Sequence, residues 1–378
     1  MSSFSPNLAQ RVIRAADREH PADGVLRDVL KAQRELFPDE RSQVSAAVFA
    51  YYRWRGWLEP AKPLPDQIER AVRLSERYTS DPDSFTDEEL TARAVPGWLA
   101  TVMEVTPAWV RALQNQPKLW LRAHRGQGGQ LAVRLGDCYA FGKGSMADTL
   151  NYRGRQDLFR TAEFHAGEFE LQDISSQAVG LICAPCPGET WWDACAGEGG
   201  KTLHLSELME NKGLIWASDP AAWRLQKLKR RAARAKVFNY RTAAWDGGAR
   251  LPTKTKFDGV LVDAPCSGIG TWQRNPHARW TATPEDIEEL SKLQEGILAN
   301  VASAVKPGGK LIYAVCSLAR AETLGVAEAF EKRSPEFVRL RIVNPLAPEA
   351  PASAAVECWP QQFGGSGMFI AAWSQRSG

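Results

Sequence analysis

Two cysteines in the second half of the chain each follow an apolar segment that is typical of a buried strand. Cys266 lies in Asp263-Ala-Pro-Cys-Ser-Gly268 just after Gly259–Val262, and Cys316 directly follows Leu311–Val315. Because the carboxyl ends of neighbouring parallel strands meet at the ligand-binding edge of an open sheet, we expect both thiols at that edge. A thiolate is a strong nucleophile near neutral pH when its pKa is lowered locally. The pattern therefore indicates reactive thiols, although a single cysteine in a tight turn is more often a packing residue.

The histidines and the remaining cysteines narrow this chemistry. No histidine accompanies Cys266 or Cys316 in the sequence, which argues against a protease-type dyad. Cys183-Ala-Pro-Cys186 is a CxxC, but a zinc site needs a second pair of ligands, and the five histidines are scattered without matching spacing. A redox role for this CxxC is not favoured, because the surrounding sequence has no thioredoxin-like context. We favour the interpretation that these are two incidental thiols at the end of a helix. No metal site is expected.

A glycine-rich turn upstream of the thiols has the form of a nucleotide-binding loop. It joins a strand end, Trp191–Asp193, to the start of a helix, whose first N–H groups can face a ligand. The spacing matches neither a Walker A loop nor a strict GxGxxG. The next apolar segment, Gly213–Ser218, ends in Asp219, roughly 20 residues beyond the turn, where an acid binds ribose hydroxyls. Helix capping is the alternative role for Asp219, and the two features together favour the ligand role. The turn residues are Cys195, Ala196, Gly197, Glu198, Gly199, Gly200 and Lys201.

Two further features beside this loop stay open on the sequence alone. Asp246 follows a short strand-like segment and precedes two glycines, so it either contacts an adenine amino group or forms an ordinary Asp-Gly turn. The helix-like segment Trp223–Lys236 is strongly basic, which is usual for a solvated face but would also guide a phosphate backbone.

The elements that must position these residues divide the chain into three parts. Residues 1–92 are helix-like, residues 93–170 suggest a small mixed α/β domain, and residues 171–378 alternate strands, glycine-rich turns and helices, as in a doubly wound α/β domain. In the middle part we expect a helix that ends near Gln116, followed by strands that include Leu119–Ala123 and Gln130–Leu135.

Basic residues in the first two parts are candidates for RNA contacts. The segment Ser42–Trp57 is amphipathic and carries large aromatics with Arg53 and Arg55, which fits RNA binding, although a helical-bundle core with a solvated basic edge is favoured. Between residues 118 and 160, bases outnumber acids and form a plausible backbone-contacting face. These bases are Lys118, Arg122, Arg125, Arg134, Lys143, Arg153, Arg155 and Arg160.

Composition sets the outer limits of the interpretation. The chain has 378 residues, 44% of them hydrophobic, which is enough for two or three domains with their own cores. A net charge of +3 does not by itself establish a nucleic-acid partner. An odd number of cysteines, no secretory signal and no apolar stretch of membrane-spanning length predict a soluble, cytoplasmic protein with reduced thiols. A monomer is expected.

Taken together, the motifs resemble those of the RsmB/Nop2/Sun family of RNA 5-methylcytosine methyltransferases, which use S-adenosylmethionine. The resemblance covers roughly residues 93–373. It is carried by Phe169–Gln177, Asp193–Thr202, Asp219 with Arg224, Asp263–Gly268, Arg274–Pro276, Cys316-Ser317 and Gly364–Ala371. The family implies a Rossmann-like class I methyltransferase domain, and the N-terminal helices look like the NusB-like RNA-binding extension of some members.

The resemblance also implies roles for individual residues. Cys316 would be the nucleophile that adds to C6 of cytosine, and Cys266 would assist release of the RNA. Asp263 would contact the cytosine, and Lys201 would orient groups near the base. The target base must leave its stack to reach this site. The implied cofactor-binding residues are Cys195, Ala196, Gly197, Glu198, Gly199, Gly200, Lys201, Asp219, Arg224, Asp246 and Asp263.

The chain departs from the family pattern at a few positions. Glu198 stands where proline is usual, Val315 where threonine is usual, and His277 and Ser366 where aspartate is frequent. Ribosomal RNA is the expected substrate, with transfer RNA as the alternative. Two other functions stay open: an amino-methyltransferase, which would need no second cysteine, and a non-catalytic RNA-binding factor in ribosome assembly.

Overall fold

The computed structural model describes residues 6–33 and 35–377, except the side chain of Pro6. The chain forms two compact units, one made of Met1–Pro117 with Gly268–Asp286, and the other of Lys118–Ser267 with Ile287–Gly378. The predicted domain limits near residues 92 and 170 stay predictions.

Helices build the first unit. Glu40 accepts a hydrogen bond from the backbone N–H of Phe37, and Thr86 accepts one from the N–H of Glu89, so both helix starts are capped by local side chains. Each helix turns an apolar face inward, and Val12, Val48 and Ile68, which belong to three different helices, are buried in one shared core. The helices are α1 (Pro6–Ala15), α2 (Ala22–Ala32), α3 (Pro38–Arg53), α4 (Leu64–Ser80), α5 (Asp87–Arg93) and α6 (Pro107–Gln114).

The basic edge that was predicted for residues 42–57 is wrong for Arg53. Helix α3 ends at this residue, whose side chain is only 1% exposed and donates a hydrogen bond to the carbonyl of Gln273 at 3.3 Å. Burial lowers the pKa of Arg53 to about 10. Trp54 and Trp57 are also buried, as the core interpretation expects, whereas Arg55 is exposed. The Arg53 side chain is therefore enclosed in the first unit and does not face solvent.

A small antiparallel sheet opens the second unit. Its order is β2-β3-β1-β4, with β1 (Leu119–Ala123) paired to both β3 and β4. The other strands are β2 (Cys138–Ala140), β3 (Thr149–Tyr152) and β4 (Phe169–Leu171), and two helices accompany them, α7 (Gly128–Leu135) and α8 (Ala162–His165).

The predicted strand at Gln130–Leu135 is wrong, because these residues lie in α7. Leu131 is buried and Leu135, four residues on, is half-buried on the same helical face, a spacing that a short apolar segment shares with a strand. The Asp148 carboxylate accepts hydrogen bonds from the N–H groups of Gly126 and Gly128, both at 2.8 Å, and so caps the helix start.

A large, mostly parallel sheet forms the rest of the second unit. Its order is β10-β12-β9-β8-β5-β6-β7, and β11 pairs with β12. Strands β5 to β9 pair in parallel, whereas β12 runs antiparallel to β9. The strands are β5 (Thr190–Asp193), β6 (Leu214–Ser218), β7 (Tyr240–Ala243), β8 (Phe257–Asp263), β9 (Val305–Val315), β10 (Phe337–Arg339), β11 (Ala355–Cys358) and β12 (Met368–Gln375). The helices are α9 (Ile174–Cys183), α10 (Gly200–Leu208), α11 (Ala222–Arg234), α12 (Pro284–Ala302), α13 (Leu324–Arg333) and α14 (Pro360–Phe363). This arrangement confirms the Rossmann-like α/β fold.

Alternating side chains bury both faces of the large sheet. Trp192 and Val260 pack into the core on one face, while Trp191 and Leu261 pack into the core on the other, as a period of two along each strand requires. Lys306–Lys310 lies within β9, where the pairing with β8 shifts register between Phe257 and Gly259.

No helix in the described part of the chain is long and apolar enough to cross a membrane.

Candidate active site

The two thiols lie at the carboxyl ends of adjacent parallel strands. Strands β8 and β9 pair with Asp263 opposite Ala314, so that the turns after both strands emerge side by side. Cys266 Sγ and Cys316 Sγ are 3.3 Å apart, and both residues are half-buried. The edge predicted from the two apolar segments therefore brings both thiols together.

A charged pair lies beside the thiols. Lys201, in the first turn of α10, donates a hydrogen bond from Nζ to Asp263 Oδ2 at 2.6 Å; the lysine side chain is 11% exposed and the aspartate 30%. Burial opposes the charged form of Lys201, but the Asp263 carboxylate, with Cys316 and Asp193 beyond it, outweighs burial and raises the pKa of the ammonium. The site therefore contains a held ammonium–carboxylate pair next to its thiols.

The glycine-rich turn closes over the end of β5 and is tied to the next strand. The N–H of Ala196 donates to the carbonyl of Ser218 at 2.8 Å, and the N–H of Gly197 donates to Asp219 Oδ2 at 3.1 Å. Gly199, at φ 87°, occupies the left-handed region that favours glycine. A Cβ at this position would lie 2.5 Å from Leu228 Cγ on α11, so a larger residue would not fit.

The Asp219 carboxylate is held by the glycine-rich turn and by the backbone just before α11. Its Oδ2 accepts from Gly197, and its Oδ1 accepts from the N–H of Ala221 at 2.8 Å, just before α11 begins. Arg224 Nη1 lies 3.7 Å from Oδ2. The carboxylate is thus fixed at the carboxyl end of β6, where a ribose would lie in a nucleotide-binding α/β fold.

Asp246 and Cys195 were also predicted to bind the cofactor, and one lies in an exposed turn and the other in the glycine-rich loop. Asp246 is exposed, and its Oδ1 accepts from the N–H of Gly248 at 2.9 Å, which is the Asp-Gly turn geometry. Burial, with the nearby carboxylates of Asp193 and Asp263, raises the pKa of the Cys195 thiol well above its ordinary value. Cys195 therefore stays a neutral thiol in the loop.

Two departures from the family pattern have local partners. Glu198 Oε1 accepts a hydrogen bond from Lys227 on α11 at 2.7 Å. Ser366 donates from both its N–H and its hydroxyl to the Asp173 carboxylate at 3.0 Å, so an aspartate at this position would face a like charge.

Several predicted RNA-contacting bases are held by acids instead. Arg122 is 5% exposed, forms an ion pair with Glu207 and donates to Gln172 Oε1 at 2.6 Å. Arg134 is paired with Glu168. The prediction of a backbone-contacting face is therefore wrong for Arg122, because burial removes it from the surface.

Two buried acids, one at the end of β5 and one between β9 and α13, were missed from the sequence. Asp193, the last residue of β5, accepts from Thr202 Oγ1 at 2.6 Å, and burial raises its pKa to about 7. Glu322 has no exposed surface and accepts from the N–H of Ser267 at 2.8 Å and from both Ser267 and Ser317 hydroxyls. An acid directly after an apolar strand was a usable signal for Asp193. The burial of Glu322 had no local signal, because partners such as Ser267 and Gln294 come from distant parts of the chain.

Within residues 6–33 and 35–377, no three His, Cys, Asp or Glu side chains are grouped to hold a metal ion. In the CxxC, Cys183 is fully buried and Cys186 is exposed. Burial raises the pKa of the Cys183 thiol, as expected of a packing residue.

Comparison with known proteins identifies the family. Residues 180–374 match the family described as 16S rRNA methyltransferase RsmB/F. The chain belongs to the RsmB/F family. This match confirms the resemblance drawn from the cysteine and glycine-loop motifs.

Curated relatives in the RsmB/F family are longer than this chain. The chain is 42% identical over 172 residues to the probable ribosomal RNA small subunit methyltransferase B of Synechocystis, covering 44% of this chain and 38% of that protein. It is 34% identical over 237 residues to the Bacillus subtilis protein of the same description, covering 60% of this chain and 52% of that protein. The chain thus spans about half the length, or less, of the curated relatives it matches.

Solved structures support the fold of this RsmB/F family member. The crystal structure of PH0851 has a TM-score of 0.80 at 22% identity, and the match covers 99% of both chains. NSun6 from Pyrococcus horikoshii, solved with SFG, has a TM-score of 0.61 at 18% identity and covers 71% of this chain and 93% of that one.

Proposed function

We propose that this protein transfers a methyl group from S-adenosylmethionine to C5 of a cytidine in small-subunit ribosomal RNA. One observation carries the proposal: Cys266 Sγ and Cys316 Sγ approach to 3.3 Å at the ends of two parallel strands. A methyltransferase that works only by holding a base and a methyl donor needs no second thiol. The names of the RsmB/F relatives favour ribosomal RNA over transfer RNA.

The residues around the glycine-rich turn fit S-adenosylmethionine. A Cβ at Gly197, at φ 54°, would meet nothing within 4 Å, so the turn faces open space where a ligand can approach. Asp219 would hold the ribose hydroxyls, and the exposed Asp246 would contact the adenine amino group. The likeness in fold to NSun6, solved with SFG, supports this cofactor class. When bound, S-adenosylmethionine would supply an electrophilic methyl group on its sulfonium sulfur.

The thiols and the charged pair explain how an unreactive carbon would be activated. C5 of cytosine is a poor nucleophile. Addition of the Cys316 thiolate to C6 breaks the C5–C6 double bond and leaves an enamine that is nucleophilic at C5. Asp263 would contact the cytosine and assist protonation at N3, and Lys201, 2.6 Å away, would keep that carboxylate in place.

Release of the product reverses the addition. After C5 carries the methyl group, a base removes the C5 proton, the C5–C6 double bond forms again and the bond from C6 to Cys316 breaks. Cys266 Sγ lies 3.3 Å from that sulfur and would assist this release. The target base must be turned out of its stack to reach the thiols.

A groove on the second unit is a candidate path for the flanking RNA. It has a volume of about 400 Å³ and is lined by Phe159, Phe164, Glu170, Leu171, Glu198, Arg230, Arg231 and Arg234. Phe159 is 58% exposed, and Arg230 is exposed beside it, whereas Arg231 and Arg234 are held by the buried Glu170. An exposed aromatic ring beside a cation suits stacking on an unpaired base.

Bisulfite sequencing of total RNA from cells with and without the gene tests the proposal. We expect one cytidine in small-subunit ribosomal RNA to lose its mark without the gene. The wild-type gene and a Cys186→Ala control should restore the mark, and Cys316→Ala should not. A lost mark in transfer RNA would instead move the substrate to that class, and no lost mark in any RNA would reject the proposal.

A further inference from the structure

The turns that carry the two thiols share one buried anchor. Glu322 lies in a short 3-10 turn between β9 and α13 and has no exposed surface. Its Oε1 accepts from the N–H of Ser267 at 2.8 Å, and its Oε2 accepts from the hydroxyls of Ser267 and Ser317. The two serine hydroxyl oxygens are themselves 3.2 Å apart. Since Ser267 follows Cys266 and Ser317 follows Cys316, one carboxylate is bonded to the residue next to each thiol.

Further hydrogen bonds hold this carboxylate in place. Gln294 on α12 donates from Nε2 to Glu322 Oε1 at 3.0 Å and to the carbonyl of Pro265 at 2.9 Å. Tyr313 on β9 donates to Gln294 Oε1 at 2.9 Å and to the Glu322 carbonyl at 2.6 Å. Glu322 is thus fixed from its side chain and from its backbone, and its partners belong to both thiol-bearing turns.

We propose that Glu322 is a positioning residue that sets the separation of Cys266 and Cys316. The proposal rests on the function proposed above, in which one thiol forms the adduct and the other assists its release. Without the carboxylate, the two turns lose their shared acceptor and can move apart independently. A buried acid whose donors are two hydroxyls, an amide and a backbone N–H is costly to place there for stability alone. Glu322 has no exposed surface, so it would act on the chemistry only through the two turns.

Removal of the carboxylate should slow chemistry more than it weakens binding. We expect Glu322→Ala to lower kcat by about 100-fold, as a displacement of about 1 Å at a reacting group does. KM for RNA and the Kd of S-adenosylmethionine should stay within about threefold of wild type, because the cofactor loop is untouched. Glu322→Gln keeps an acceptor for Ser267 N–H, and its amide can donate to the serine hydroxyls, so it should recover to within about tenfold of wild type.

A thiol redox equilibrium gives a readout that needs no RNA. In a glutathione buffer, the two thiols form a Cys266–Cys316 disulfide while one oxidised glutathione becomes two glutathione thiols. The equilibrium constant measures the effective concentration of one thiol at the other, and alkylation with peptide mass mapping identifies the pair. We expect this equilibrium constant to fall by about tenfold or more in Glu322→Ala.

Asp258→Ala is the matched control, since Asp258 lies at the opposite end of β8 and also accepts from a backbone N–H, that of Thr190, at 2.8 Å. Asp258→Ala should leave kcat and the thiol redox equilibrium constant within about threefold of wild type. Should Glu322→Ala not fold, the double variant Ser267→Ala with Ser317→Ala removes only the hydroxyl donors and should still lower both readouts.

An unchanged kcat and an unchanged redox equilibrium in the folded variants would overturn the proposal for Glu322. A wild-type enzyme that makes no 5-methylcytidine would remove the proposed function instead, and the redox equilibrium would then decide the positioning role on its own.

Discussion

Replacing Asp193 by asparagine tests the electrostatics beneath the glycine-rich turn. Asp193 is fully buried at the end of β5, and burial raises the pKa of its carboxyl from 3.8 to about 7, against the hydrogen bond from Thr202. Between these two values the native protein keeps a proton that the unfolded chain has released. The free energy of unfolding therefore falls as pH rises through this window, and the contribution is lost above it.

The magnitude follows from the shift. With a native pKa of about 7, the free energy of unfolding of the wild-type protein should fall by roughly 3 kcal/mol between pH 5 and pH 8 because of Asp193. Asp193→Asn should not show this fall, because its amide does not titrate. Other groups titrate over the same range in both proteins, so the difference between the two is the quantity to measure.

Urea denaturation of both proteins at pH 5, 6, 7 and 8, followed by tryptophan fluorescence, gives this difference. From the lowest to the highest pH, the free energy of unfolding of the asparagine variant should rise by roughly 3 kcal/mol relative to that of the wild type. Asp83→Asn, at an exposed position, controls for the loss of one negative charge. A difference between wild type and Asp193→Asn that does not change with pH would refute the claim that burial keeps Asp193 protonated.

Three further predictions concern the charged pair, the proposed RNA groove and the sheet. Lys201→Met should lower kcat by about 10- to 100-fold, because a charge-assisted hydrogen bond contributes about 1.5–3 kcal/mol; Lys201→Arg should lose less, and equal rates for both variants in a single-turnover assay would contradict the role. Phe159→Ala should weaken RNA binding in a filter assay by about 5- to 100-fold while S-adenosylmethionine binding stays unchanged; unchanged RNA affinity would remove the groove from the RNA path. Gly259→Ala should destabilise the protein by about 1–3 kcal/mol in urea, because a Cβ there would lie 2.3 Å from the ring of Trp191. Gly296→Ala, whose Cβ would meet nothing within 4 Å, is the control and should not destabilise.

The thiol edge could be predicted because it depends on local signals and one topological rule. Apolar segments before Cys266 and Cys316 are long enough to indicate strands, and parallel strands bring their carboxyl ends together. The same reasoning placed Asp219 at the end of its strand. These signals are read from a few consecutive residues, so no long-range contact had to be known.

Side chains whose environment comes from distant packing could not be predicted in the same way. Arg53 and Arg122 look like surface bases in the sequence, yet both are buried, and Arg122 is paired with Glu207. Gln130–Leu135 is short and apolar, a pattern that fits a strand and a buried helix equally well. Glu322 gains its partners from two turns and from α12, and no spacing in the sequence indicates that they meet.

Covalent trapping of RNA tests the assignment of the two thiols most directly. Wild type, Cys266→Ala and Cys316→Ala are incubated with small-subunit ribosomal RNA and S-adenosylmethionine, denatured and separated on a gel. In the proposed mechanism Cys316 forms the bond to C6 and Cys266 assists its release, so Cys266→Ala should accumulate a protein–RNA adduct, whereas Cys316→Ala should form none. An adduct in Cys316→Ala would reverse the two roles, and the absence of an adduct in all three proteins would contradict the covalent mechanism.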